Sequence, residues 1–152
     1  MPGPSVLVLN GPNLNLLGQR EPEIYGAGTL GDLHELLRQR FPSVPLRFAQ
    51  HNCEGALIDE IHAADTVDTA GIVFNAGGYG HTSVALHDAI RAISTPVIEV
   101  HLSNPAARES FRHASMIAPA CSGTIAGLGP SGYLLAVLHL SHLHIGHTEG
   151  DA

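Results

Sequence analysis

The chain has 152 residues, 44% hydrophobic and 14% charged, with a formal net charge of −7. That balance suits one folded domain over residues 1–152, with residues 147–152 as a loose tail, and excludes both a disordered chain and a general nucleic-acid binder, which needs a basic face. All seven basic residues are Arg, so chemistry that depends on a Schiff-base, pyridoxal-phosphate or P-loop lysine is excluded as well.

The first element is SVLVLN (Ser5–Asn10), a continuous β-branched and Leu run of the kind found in buried parallel strands. A long Gly/Asn/Pro loop follows, GPNLNLLGQREPEIYGAG, whose stretch REPEIYG is too broken for a helix and too polar for a buried strand. TLGDLHELLRQRF then places Leu30, Leu33, Leu36 and Leu37 on one helical stripe, with Thr29 and Asp32 as a cap pair. A second strand is predicted over 45–50 and a short amphipathic helix over 55–65, carrying Leu57, Ile58 and Ile61. The third strand is AGIVFN (70–75), and HTSVALHDAIRAI is a helix with Leu86, Ala89, Ile90 and Ile93 on its inner face. PVIEVH (96–101) is the fourth strand, NPAARESFRHAS a short helix started by Asn104 and Pro105, and GTIAG (123–127) the fifth strand. GYLLAVLHLSHL closes the pattern as an apolar helix.

Alternating β and α segments predict an α/β fold, an open five-stranded parallel sheet with helices on both faces in flavodoxin-like order. No apolar run reaches the length of a membrane span, and no basic and then apolar leader opens the chain. A cytoplasmic protein without a membrane partner is therefore expected. Cys53 and Cys121 lack a C-x-x-C spacing and read as buried or idle thiols rather than a disulfide.

Ligand sites in such sheets lie outside the carboxyl ends of the strands. Asn13, Arg20 and Tyr25 follow the first strand. Asn75 ends the third, before AGGYGH and His81. Glu99 and His101 end the fourth, before Ser103, Asn104, Arg108 and Arg112.

Glu99 and His101 are two apart on a strand and so share a face, with Ile98, Val100 and Leu102 on the other. A carboxylate beside an imidazole fixes its tautomer and favours its charged form, which makes a general acid; the competing reading is a buried pair with no catalytic part. Arg20 near Tyr25 also has two readings. A guanidinium favours a phenolate, and bringing a free Tyr from about 10 to neutrality takes roughly 4 kcal/mol. Alternatively, Tyr25 packs on Pro22 beside a solvated Arg, and the long loop is either a lid or a plain connection.

GLGPSG, from Gly127 to Gly132, matches G-x-G-x-x-G and raises an alternative function, a nucleotide-binding module. The fingerprint requires a following strand and an acidic residue about 20 positions on, whereas only one helix remains here, so a tight strand–helix turn is the favoured reading. His139, His142, His144 and His147 read as solvated helix-end imidazoles rather than a metal site. His34, His51, His62, His87 and His113 read as surface positions.

The remaining polar set suits cofactor-free elimination or isomerisation on a small anion: a base removes a proton beside a carbonyl, donors hold the enolate and an acid protonates a leaving hydroxyl. The segments NGPNLNLLGQREPEIYG, FNAGGYGHTSVALHDAI and PVIEVHLSNPAARESFR closely resemble the type II 3-dehydroquinate dehydratases, and the likeness extends to GYLLAV. That resemblance implies the reversible, cofactor-free dehydration of 3-dehydroquinate to 3-dehydroshikimate, in a homo-oligomer built from trimers and commonly a dodecamer. It implies Tyr25 as base, Arg20 as the group that lowers its pKa, and Asn13 as holder of an enolate-stabilising water. His101 would be the acid, oriented by Glu99. Asn75 and the backbone amides of Leu102 and Ser103 would bind the substrate carboxylate, and His81 and Arg112 the ring hydroxyls. Asp88 would reach the site of a neighbouring subunit. The sequence departs from the family pattern at Gly80, where Thr is frequent, at Cys53, where a polar residue or His is usual, and at Ala114, where a second His is common.

Overall fold

The computed structural model describes residues 3–25 and 28–146, with side chains for 3–24 and 28–142; the Tyr25 and His144 side chains, His147 and the tail expected over 147–152 lie outside what is described. Five strands form one parallel sheet: β1 (Ser5–Asn10), β2 (Leu46–Gln50), β3 (Thr69–Asn75), β4 (Val97–His101) and β5 (Gly123–Ala126). Their order is β2-β1-β3-β4-β5, the flavodoxin-like arrangement expected. In β1, Val6, Val8 and Asn10 face one layer while Leu7 and Leu9 face the other, as the two-residue period requires.

The first short helix, α1 (Pro22–Tyr25), is a difference from the sequence expectation, which gave this stretch no helix. A single turn needs no propagation, Pro suits its first position, and Glu21 absorbs the entry bend at φ 41° while its carbonyl accepts the Ile24 N–H at 2.9 Å. α2 (Leu30–Arg40) opens with the predicted capping box: Thr29 accepts from the Asp32 N–H at 3.1 Å and Asp32 accepts from the Thr29 N–H at 3.0 Å. α2 and α5 (Ser131–Gly146) cover one face of the sheet through Leu33, Leu37, Tyr133, Ala136, Val137 and Leu140. α3 (Glu54–Ala64) and α4 (Val84–Arg91) cover the other through Leu57, Ile61, Leu86, Ala89 and Ile90.

The crossover from β4 to β5 has no α-helix. The helix expected from Asn104 is two 3-10 turns, Pro105–Ala107 and Ser110–Arg112, with a third at Ala118–Ala120. Asn104 does cap the first, accepting from the Ala106 N–H at 3.2 Å, but neither of the first two turns buries a residue and Phe111 is 67% exposed, so no apolar stripe exists to propagate a helix. The strand order reverses between β1 and β3, whose last residues, Asn10 and Asn75, lie side by side. A crevice opens at that switch point.

His34, His51 and His87 are half-buried rather than plain surface positions: His34 stacks on Phe48 at 4.1 Å, His51 lies 2.9 Å from Glu60, and His87 donates from Nδ1 to the Met116 carbonyl at 2.8 Å. No helix among the described residues is long and apolar enough to cross a membrane.

Candidate active site

The crevice is a cavity of about 420 Å³ beyond the ends of β1, β3 and β4. Its lining includes Asn13, Arg20, Asn75, His81, His101, Leu102, Ser103, Arg108 and Arg112, all singled out from sequence, together with Pro12 and Tyr79. Asp88 is exposed on α4 and does not line it.

β4 carries the two groups with most chemical capacity. Glu99 is fully buried and His101 nearly so, with Nε2 3.0 Å from Glu99 Oε2. Ser115 Oγ donates to Glu99 Oε2 at 2.6 Å, and Thr124 Oγ1 donates to Oε1 at 3.3 Å. Burial pushes the Glu99 carboxyl up, but the hydrogen bonds from His101 and Ser115, the His101 charge and the Thr124 bond more than offset it, holding the group below its ordinary value of 4.5. An ionised carboxylate only accepts, so His101 carries a proton on Nε2, which leaves Nδ1 as the nitrogen available to exchange one, and His101 lines the cavity. His81 donates from Nδ1 to the Ala114 carbonyl at 2.8 Å, and its ring lies 5.8 Å from that of His101. A Cβ at Gly80 would stand in ordinary contact with His101 and Ala76, at 3.7 Å from each, so the packing here does not itself demand a glycine.

The loop after β1 is pinned from the edge strand. Asn13 takes the left-handed conformation at φ 68°, which Asn tolerates. Its N–H is held by Asn52 Oδ1 at 3.0 Å, while Gln50 Nε2 donates to the same oxygen at 3.0 Å and Tyr79 donates to the Asn52 carbonyl at 3.0 Å. Arg20 lies 3.9 Å from Glu21, and Arg112 donates from Nε to Glu109 at 2.8 Å.

Asn75 is buried beneath the cavity. Its Oδ1 accepts the Gly77 N–H at 3.1 Å and its Nδ2 donates to the Tyr133 hydroxyl at 2.8 Å. Tyr133 in turn donates to Asn10 Oδ1 at 2.6 Å.

The GLGPSG turn has a structural employment. Gly127 and Gly129 take φ of 84° and 59°, and their N–H groups donate to the carbonyls of His101 at 3.2 Å and Leu102 at 3.0 Å. Those donors are therefore not presented as a phosphate cradle. In a planar trans peptide the N–H lies opposite the carbonyl, so the N–H groups of Leu102 and Ser103 are turned away from the glycine turn.

Residues 4–141 match the family described as Dehydroquinase class II. This chain belongs to that family. It is 55% identical over 141 residues to the 3-dehydroquinate dehydratase of Rhizobium etli (strain CIAT 652), covering 91% of this chain and 97% of that protein. It is 59% identical over 140 residues to the 3-dehydroquinate dehydratase of Chelativorans sp. (strain BNC1), covering 90% of this chain and 96% of that protein. The crystal structure of the type II dehydroquinase from Butyrivibrio crossotus DSM 2876 superposes with a TM-score of 0.89 at 43% identity, over 91% of this chain and 98% of that one.

Within this class II dehydroquinase, sequence reasoning missed the residues behind the cavity: Ser115 and Thr124 on Glu99, Tyr133 and Asn10 on Asn75, and Gln50 and Asn52 on Asn13. Only Tyr133 carried a signal, since a Tyr on an apolar helix needs a partner for its hydroxyl. Cys121 is a half-buried free thiol pushed up to about 12 by burial and by the Glu99 charge, which leaves it unreactive, and Cys53 is an exposed free thiol. Among the described residues, no group of three or more His, Cys, Asp and Glu is arranged to hold a metal ion.

Proposed function

We propose that the protein dehydrates 3-dehydroquinate reversibly to 3-dehydroshikimate without a cofactor, as one catalytic domain in the cytoplasm, within the shikimate pathway. Tyr25, as phenolate beside Arg20, takes the C2 proton. The electron pair passes to the carbonyl oxygen, and a water held by Asn13 stabilises that enolate. His101, protonated on both ring nitrogens at this stage, gives its Nδ1 proton to the C1 hydroxyl as the enolate collapses and keeps the Nε2 proton that Glu99 holds, so water leaves and the conjugated enone forms. Asn75 and the N–H groups of Leu102 and Ser103 hold the substrate carboxylate, and His81 and Arg112 hold ring hydroxyls. Asp88 serves a neighbouring subunit of an oligomer built from trimers, reaching a dodecamer.

The observation that carries this reading is the Glu99–His101 pair, buried behind a cavity whose other charged groups are Arg20, Arg108 and Arg112. An imidazole whose Nε2 proton is held by a carboxylate, leaving Nδ1 to carry the proton that is transferred, stands where an anion is attracted. The turned N–H groups after β4 and the buried Asn75 amide support a carboxylate subsite.

The test is to add 3-dehydroquinate to the metal-free protein and follow the ultraviolet absorbance of the enone. A prompt rise, not blocked by borohydride with substrate, is expected, with Tyr25→Phe losing nearly all turnover while substrate binding is largely kept. Absence of any rise from the folded protein overturns the reading, and near-native turnover in Tyr25→Phe overturns the base assignment.

A further inference from the structure

Three of the polar side chains around the cavity floor form a chain whose direction is set at one end. The Gly77 N–H can only donate, so the oxygen of the Asn75 carboxamide must face it, at 3.1 Å. The Asn75 nitrogen then faces the Tyr133 hydroxyl, at 2.8 Å. A hydroxyl has one proton, and this one goes to Asn10 Oδ1 at 2.6 Å, leaving a lone pair for Asn75. Each step fixes the next, and all three side chains are buried.

The far end of the chain carries a cost. Asn10 Nδ2 is buried with no hydrogen-bond partner among the described residues. Reversing the Asn10 amide would give that nitrogen the hydroxyl to donate to, but the hydroxyl proton would then lose its acceptor. Tyr133 would be free to turn its proton on Asn75, where it faces a nitrogen that cannot accept. The orphaned donor at Asn10 is thus tied to the polarity that Asn75 requires.

We propose that the Tyr133 hydroxyl, locked by Asn10, is a positioning residue that holds the Asn75 carboxamide, in the sense Gly77 sets, in place for the anionic group of the substrate. An amide nitrogen has two N–H bonds. With one held by Tyr133, the other is left for the cavity that Asn75 lines. Tyr133 does not line the cavity, and of its two side-chain partners Asn75 is the one that does, so Tyr133 acts on substrate through Asn75. This inference rests on the proposed part of Asn75 in holding the substrate carboxylate.

The experiment measures KM and kcat for 3-dehydroquinate, together with thermal unfolding, in Tyr133→Phe, Asn10→Leu, the double variant and Asn75→Ala. Loss of uniform binding raises KM and leaves kcat nearly unchanged. Tyr133→Phe and Asn10→Leu are each expected to raise KM by roughly five- to tenfold, the size of one hydrogen bond of about 1–1.5 kcal/mol. The double variant should raise it no further than either single, since both remove the same lock. Asn10→Leu also removes the orphaned donor, so it should unfold at a temperature no lower than Tyr133→Phe does. Wild-type KM in folded Tyr133→Phe, beside a raised KM in Asn75→Ala, overturns the positioning role. Wild-type KM in Asn75→Ala overturns instead the part given to Asn75 in substrate binding.

Discussion

Glu99 shows how a single buried charge becomes tolerable. With no exposure to water, the carboxylate would neutralise itself unless its oxygens were hydrogen-bonded. Three donors meet that need, and the balance leaves the group below its ordinary 4.5. The folded value lies beneath the unfolded one. Glu99 therefore contributes stability that is fully present above pH 4.5 and is lost as pH falls through the folded value. Glu99→Gln keeps the shape and removes the charge. It should lower the melting temperature at neutral pH, and the gap to the wild type should narrow steadily below pH 4.5. A gap of constant size through an acid titration of both proteins would mean that the charge adds nothing to folding. At neutral pH the same substitution should cost less turnover than His101→Ala, because it disturbs the orientation of the acid instead of deleting it.

The elements divide into those that sequence periodicity reveals and those that it does not. β1 was legible to the residue, because a strand buried on both faces must be apolar throughout, and the capping box of α2 was legible because its two residues bond each other. The Glu99–His101 pair followed from the strand period alone. The 3-10 turns after β4 were not legible, since Asn-Pro marks the start of a helix but says nothing of how far it runs. Nor were Ser115 and Asn10, whose partners lie 16 and 123 positions away. The glycine turn before α5 was read as a tight turn, but not as the clamp on the carbonyls of His101, which ends β4, and Leu102, which follows it. That clamp makes a prediction at the scale of the element. A Cβ at Gly129 would meet nothing within 4 Å, so Gly129→Ala carries only the strain of its φ of 59°. That strain is about 1–2 kcal/mol, which for a domain of this size lowers the melting temperature by roughly 2–8 °C. KM should rise with it, because relaxing that strain shifts the residue 129 N–H that anchors the Leu102 carbonyl. Gly129→Asn should recover much of both, Asn tolerating this conformation. Equal effects from Ala and Asn in parallel melts and KM measurements would count against backbone strain as the cause.

The whole molecule concentrates its few cations. Arg20, Arg108 and Arg112 border one cavity in a chain whose net charge is −7, a distribution that draws a small anion to that cavity and repels one elsewhere. Asp88 does not fit this picture within a single chain. α4 turns Leu86, Ala89 and Ile90 inward and leaves Asp88 exposed, off the wall of its own cavity. In a trimer with head-to-tail contacts, each chain can lend a residue to the next one's site. A site then needs His101 from one chain and Asp88 from another, which makes the two deficiencies complementary. Asp88→Asn and His101→Ala should each be poorly active alone. Co-expressed and co-assembled in equal amounts, they should regain about a quarter of wild-type activity, since half of the sites keep His101 and half of those have a neighbour that keeps Asp88. The readout is enone formation per total subunit, with size measurement to establish that mixed oligomers form. Mixed oligomers no more active than the average of the two singles would mean that Asp88 serves no neighbouring site, and activity would then belong to each chain by itself.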